Sequence, residues 1–289
     1  MSIEIVSIIV LFLSFFTLLM LKVPVAYSIG ISTTISLLLN IDKLPGITTI
    51  AQRMTTGIDS FALLAIPFFV LAGQIMNKGG IAKRLVAFAK SLVGSLPGGL
   101  AHVNIIAAML FGAISGSAVA AVSALGSMLG DEMEKEGYSK EFGAAVNVTA
   151  STTGLVIPPS NILIVYSLAS GGVSIAALFL AGYIPGIITG LLLMITAAIW
   201  SKRENFPSGK RTTISELFRT FINAFPSLLL LVVVIGGIVA GIFTATEASA
   251  VAVLYCLILT FIYKETALNE LPKLFLDSVS TTAIVMLLI

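Results

Sequence analysis

The chain has 289 residues, of which 57% are hydrophobic and only 10% charged, and its mean hydropathy is +1.09. Soluble globular domains carry roughly 25% charged residues, so this composition excludes a soluble domain and fits an integral membrane protein in contact with membrane lipid. A balance of 16 basic and 14 acidic residues, with one cysteine and one histidine, gives no basis for nucleic-acid binding, a disulfide framework, a thiolate metal site or histidine-based catalysis.

A membrane helix needs about 20 apolar residues, because about 30 Å of hydrocarbon is crossed at about 1.5 Å per residue. Residues 3–21 satisfy this. The acidic Glu4 and the lack of a small-residue cleavage pattern mark that run as a retained span rather than a signal peptide. Lys22 and Pro24 interrupt it, and 25–39 is expected to continue as a second span, with Pro24 suited to a helix start. Residues 42–60 carry Asp42, Lys43, Pro45, Gly46, Arg53 and Asp59 and read as an interfacial connection. A short span over 61–76 follows, beginning near Thr56 and carrying Pro67 inside. Lys83, Arg84 and Lys90 among apolar residues over 79–97 predict an amphipathic helix along the surface.

Residues 91–130 contain no charge, only His102. As one helix they would extend about 60 Å, twice the hydrocarbon thickness. Two full spans with a tight turn fit this segment, and so does a re-entrant hairpin that turns halfway. The turn falls at residues 114–118, where no charged or aromatic anchor marks an interface, and this favours the hairpin. A polar block, Asp131 to Glu141, leads into 142–201, again charge-free and long enough for two spans separated near Ser170-Gly171-Gly172. A basic loop holds Lys202, Arg203, Lys210, Arg211 and Arg219. Residues 225–263 carry only Glu247, which reads as a cap or interfacial group rather than a proton carrier. A final helix begins near Leu274, and 277–289 stops while still apolar, as expected of a fragment or of an element completed elsewhere.

Lys22, the Lys78 to Lys90 block and the 202–219 loop share one side if basic residues face the cytoplasm. Residues 3–39 and 225–263 echo each other as apolar helix, short break and small-residue helix, entered from opposite sides. Inverted repeats of this kind recur in secondary transporters. The expected fold is therefore an all-α polytopic membrane protein with inverted repeats, a re-entrant hairpin and discontinuous helices. Its parts are scaffold helices and connection over 1–55, a membrane helix and amphipathic arm over 56–98, the hairpin over 99–130, a discontinuous helix with the following span over 131–201, and the start of a second repeat over 202–289.

The stretch ASTTGLVIPPSN, Ala150 to Asn161, is the strongest interruption. Pro158 and Pro159 cannot donate, so the carbonyls of Gly154 and Leu155 lose helical partners, and helical geometry is disfavoured before each proline. Half-helices over 142–153 and 160–168 are predicted, with Ser160 placed to cap the second. Freed carbonyls and hydroxyls suit a hard monovalent cation such as sodium, whereas a transition metal would want histidine, cysteine or carboxylate. The N-terminal ends of half-helices suit a carboxylate. Ser115, Gly116 and Ser117 offer the same chemistry at the hairpin tip, with Gly116 admitting an unusual backbone angle. A plain proline kink and a small-residue helix contact are the bland alternatives. Asn104 and Asn147 are polar and placed to bond the breaks, but their rotational phase is not legible.

Several segments together resemble the large membrane subunit of the tripartite ATP-independent periplasmic (TRAP) transporters. They are IPFFVLAGQIMNKGGI (Ile66 to Ile81), FGAISGSAVAAVSALGSML (Phe111 to Leu129), EGYSKEFGAAVNVTASTTGLVIPPSN (Glu136 to Asn161), LFLAGYIPGI (Leu178 to Ile187) and TATEASAVAVLY (Thr244 to Tyr255). The resemblance implies a multi-pass protein of the bacterial inner membrane that is not an enzyme and runs as a sodium-coupled elevator. It also implies a small four-helix membrane subunit, a soluble periplasmic binding protein and an organic acid anion as substrate. By that resemblance sodium is expected at Ser115, Gly116, Ser117, Thr152, Thr153, Gly154 and Pro158, and substrate at Ser115, Thr153, Ser160 and Asn161. Where many relatives have glycine-proline-isoleucine, this chain has Gly154-Leu155-Val156, followed by Asn161 after the motif, a combination that resembles sialic acid members more than C4-dicarboxylate members. The second hairpin and second sodium site implied by the family would lie beyond Ile289, so the chain ending there is not expected to transport. The rival reading is a structural or assembly subunit; a channel is disfavoured by the lack of a ring-forming polar filter.

Overall fold

Helix boundaries in the computed structural model follow the interruptions written into the side chains. The structure describes residues 3–209, 212–265 and 268–289. Among them it is all-α, with no sheet. The first helices are α1 (Ile3–Met20), α2 (Val25–Leu38) and α3 (Lys43–Gly57). Pro24, with φ −55° and ψ 143°, stands immediately before α2 and starts it as a fixed-φ residue should. At 14 residues α2 is apolar but shorter than a full span, a departure from the expected second crossing. The 42–60 connection is mostly helical, as α3.

A 3₁₀ turn (Phe61–Leu64) leads into α4 (Ala65–Lys78), followed by α5 (Ile81–Val93), α6 (Gly99–Ser115) and α7 (Ala118–Lys135). Next come α8 (Lys140–Ser151), a 3₁₀ turn (Thr152–Leu155), α9 (Asn161–Ala169) and α10 (Ile175–Arg203). The chain closes with α11 (Ile214–Val239), α12 (Ala245–Tyr263), a 3₁₀ turn (Leu268–Glu270) and α13 (Leu271–Leu288). Among the described residues, six segments are long and apolar enough to cross a membrane: 3–20, 61–78, 175–203, 214–239, 245–263 and 271–288. Lys210 and Arg211, part of the expected basic loop, lie outside the described residues.

The chain divides into two compact units, Met1–Phe61 with Ser280–Ile289, and Ala62–Val279. In the first, α1 buries none of its residues and packs on α2 through polar contacts. Ser36 Oγ donates to the Ser7 carbonyl at 3.1 Å, and Asn40 Nδ2 donates to Ser7 Oγ at 2.7 Å.

In the second unit α4 lies along α12, and α5 is wedged between α6 and α11. The amphipathic reading of α5 holds: Ile81, Ala82, Leu85, Val86 and Ala89 are buried, while Lys83 pairs with Glu265 at 3.1 Å at the surface. That buried face makes α5 a packed element of the core as well as a surface helix. Arg84 lies 3.5 Å from the centre of the Tyr263 ring. The elbow between α5 and α6 is fastened to the α10–α11 connection. Gly98 N–H donates to the Pro207 carbonyl at 3.2 Å and Gly209 N–H to the Gly94 carbonyl at 3.0 Å. Glu247 closes a capping box at the start of α12, accepting from the Thr244 N–H and hydroxyl, both at 2.8 Å. Its role is therefore the cap that its position suggested.

An aromatic cluster joins the ends of α7, α8 and α10. Tyr138 stacks on Phe206 with ring centres 4.4 Å apart, and Phe142 contacts Phe206 at 5.2 Å and Trp200 at 6.4 Å. Burial pushes the Tyr138 hydroxyl up to about 12, so it stays neutral and serves as an apolar stacking partner. Phe206→Ala should lower stability by about 2 kcal/mol. A thermal scan in detergent following Trp200, the sole tryptophan, should show the earlier midpoint.

Candidate functional site

The hairpin tip forms because α6 must stop without a charged or proline signal. Gly116 does this in the left-handed conformation, φ 60° and ψ 16°, donating its N–H to the Gly112 carbonyl at 2.8 Å. Ser117 then turns extended (φ −136°) and caps α7, its Oγ accepting from Ala120 N–H at 3.3 Å. Ser115 is buried; its Oγ accepts from Ser117 N–H at 3.4 Å. The tip thus contains two serine hydroxyls within three residues and no formal charge.

Opposite it, the helix that starts at Lys140 comes apart. α8 ends at Ser151, tightens into the 3₁₀ turn 152–155, and the chain is irregular to Ser160 before α9 begins at Asn161. The Thr153 carbonyl accepts from both Val156 N–H (3.0 Å) and Ile157 N–H (2.8 Å), which closes the turn. Ser160 occupies the N-cap position of α9, but its side chain makes no cap bond. Its hydroxyl instead donates backwards to the Leu155 carbonyl at 2.5 Å. This corrects the expected capping role: the carbonyl stranded by Pro159 is the buried acceptor that most needs a donor, and Ser160 supplies it.

Glycine brings the two interruptions together. A Cβ on Gly112 would lie 2.3 Å from the Gly154 Cα, so the two backbones meet with no room for a side chain. A Cβ on Gly116 would lie 2.9 Å from the Pro159 carbonyl oxygen and 3.3 Å from Asn161 N. The tip therefore sits at the start of α9, and the N-terminal ends of α7 and α9 approach one another there. On the far side of the break α10 presents Gly182 to the Val156 carbonyl and Gly186 to Ile157. α4 meets the tip through Gly73 and Ser115.

The structure thus gathers Ser115, Gly116, Thr153, Gly154, Pro158, Ser160 and Asn161 as buried residues on these two facing segments, with Ser117 half-buried beside them. Thr153 Oγ1 donates to the Ala150 carbonyl at 2.6 Å, and Asn161 Oδ1 is buried with no donor from the protein. Thr152 is placed differently. Its side chain is exposed and bonds back to the Thr149 carbonyl at 2.7 Å, so only Thr153 of the threonine pair turns inward. Neighbouring residues on a helical turn point about 100° apart, and sequence spacing alone does not say which is inside. Asn147 does not bond the break; its amide reaches α7. Sequence reasoning missed the Gly182–Gly186–Gly190 ladder of α10; its four-residue spacing is the signal that could have found it. No group of three or more histidine, cysteine or carboxylate residues is positioned to hold a metal among the described residues.

The donor set and the fold can be set beside known proteins. Residues 12–289 match the family model described as tripartite ATP-independent periplasmic transporter, DctM component. The chain belongs to this family. Over the residues matched it aligns with the large membrane subunit of TRAP transporters, multi-pass proteins of the inner membrane, and the family is one of transporters rather than enzymes. The YgiK protein of Salmonella typhimurium is 55% identical over 98% of the chain and 65% of its own length. The C4-dicarboxylate TRAP transporter large permease of Rhodobacter capsulatus is 35% identical over 98% of the chain and 67% of its own length. The sialic acid TRAP transporter large permease of Vibrio cholerae is 42% identical over 84% of the chain and 57% of its own length. The chain thus spans between about half and two thirds of these TRAP proteins.

The glycine contact gives a direct test. Gly112→Ala or Gly154→Ala drives a methyl group into backbone, for which overpacking costs about 1–3 kcal/mol. Either variant should also admit water to the tip, read as faster alkylation of a cysteine introduced at Ser115.

Proposed function

We propose that the complete protein carrying this sequence takes up an organic acid anion together with sodium. The hairpin-containing block would bear both ligands across the membrane while the first helices remain as scaffold. The observation that supports it is the Gly112–Gly154 contact, which seats one uncharged, oxygen-rich interruption directly against another. In hydrocarbon every backbone polar group requires a partner, and irregular backbone persists only where protein or a ligand covers it. α6 and α7 form a helical hairpin with its turn buried, in keeping with re-entrance, and residues 3–39 and 225–263 fit the opening pairs of two inverted repeats.

The chemistry follows from helix polarity. α6 and α8 end at the site and direct carbonyl oxygens there; α7 and α9 begin there and direct N–H groups there. The carbonyl ends, with the hydroxyls of Ser115, Ser117 and Thr153 and the backbone of Gly116, Thr152, Gly154 and Pro158, would hold sodium. Its charge removes the lone-pair repulsion among these oxygens. The N–H ends, with Ser115, Thr153, Ser160 and the unpartnered Asn161, would receive the carboxylate. Each ligand stabilises the arrangement that the other needs, so binding is reciprocally coupled. No bond is made or broken in the cycle.

TRAP systems combine a large membrane subunit with a small one and a periplasmic binding protein, and we assign this chain the same partners. Relatives are named for C4-dicarboxylates, sialic acid and 2,3-diketo-L-gulonate. Gly154-Leu155-Val156 favours sialic acid for this chain, and competition between sialic acid and a C4-dicarboxylate during uptake decides between them.

Uptake into proteoliposomes by the complete complex, with and without a sodium gradient, tests the reading. Ser117→Ala and Thr153→Ala should each raise the sodium concentration for half-maximal uptake by about tenfold, the equivalent of one charge-assisted contact. Sodium-independent uptake by the unaltered complex would refute the proposal, and an unchanged sodium titration would remove those two residues from the site.

A further inference from the structure

α7 and α8 are joined by a short turn and pack along one another. The first part of α7 is built of small residues: Ala118, Ala120, Ala121, Ala124, Gly126 and Ser127. Such a surface permits close approach; the large side chains that interlock with α8, Leu125, Leu129 and Met133, lie towards the far end of α7, so near the tip packing sets the spacing of the helices more firmly than their axial register.

Beside the turn, exposed Lys140 of α8 pairs with Glu134 of α7 at 3.3 Å; nearer the site, a buried polar side chain crosses the contact. Asn147 is buried in α8, and its Nδ2 donates to the Val122 carbonyl of α7 at 2.9 Å. Gly126 makes the space for it, since a Cβ there would lie 2.8 Å from Asn147 Nδ2. The bond is directional and lies in an apolar contact, where water offers no ready replacement. Val122 stands five residues after Ser117, about 8 Å along α7. Thr153 stands six residues after Asn147, about 10 Å along α8 and the 3₁₀ turn. Because the helices run in opposite directions, both intervals lead from the bond towards the site and end at nearly the same height.

We propose that Asn147 is a positioning residue, fixing the register of α7 against α8 through the Val122 carbonyl and so holding Ser117 level with Thr153. The inference rests on the sodium-site reading above and adds to it a residue that touches neither ligand. Gly126 is its necessary complement.

Two variants of the complete transporter test it. Asn147→Leu removes the donor while keeping a side chain branched at the same atom; Gly126→Ala presses a methyl group on the amide. Each should raise the sodium concentration for half-maximal uptake about three- to tenfold, the usual range for one lost hydrogen bond. The double variant should be no worse than the stronger single one, because both break the same bond. Hydrogen exchange at amides 117–120, measured without sodium, should accelerate in both. A wild-type titration with an unshifted Asn147→Leu curve, or single effects that multiply in the double variant, would overturn the proposal. If the wild type shows no sodium dependence, the transport reading fails and the register assignment is judged by exchange alone. Unchanged exchange in both variants refutes it.

Discussion

A main-chain carbonyl or N–H in hydrocarbon must find a partner within the protein, and this requirement governs the interior of the second unit. Most of its backbone meets the requirement by being helical. At 114–118 and 152–160 it does not, and the structure compensates locally. Gly116 reaches back to Gly112, Thr153 accepts twice, and Ser160 donates to the carbonyl that Pro159 leaves behind. What remains is covered by close approach, with Gly112 against Gly154 and the glycine face of α10 against Val156 and Ile157. Apart from the double bond to the Thr153 carbonyl, each compensation demands either a very small residue or a hydroxyl. The composition of ASTTGLVIPPSN thus answers to burial of an irregular backbone as much as to any ligand.

The same features make the region suitable for small ions. On the reading proposed above, a site formed by hydroxyls and main-chain dipoles carries no fixed charge and would become complementary to an anion once a cation has entered. A carboxylate cluster would bind a cation more tightly but would repel an acid. Neutral oxygen donors and paired helix starts reconcile the two needs in one small volume.

Interruptions were readable because proline, glycine and charge disrupt helices through local chemistry. Pro158 and Pro159 located the break, Gly116 the hairpin turn, Gly171 and Gly172 the next reversal, and Glu247 a helix start. Rotational phase was not readable. In a helix apolar on every side there is no polar stripe to orient it, so Thr152 and Thr153 looked equivalent and Asn147 had no visible target. Ser160 shows a second limit. A serine at an N-cap position has a local partner and a distant one, and the distant carbonyl prevails when it is buried and otherwise bereft.

The fastening of the α5–α6 elbow to the 207–209 segment has a mechanical corollary. Gly98 and Gly209 each donate across it, one bond in each direction. Swinging α5 about that corner must either rupture both bonds or drag the start of the next polypeptide link along with it. The corner therefore behaves as a shared bearing, through which torque applied to one limb is felt by the other.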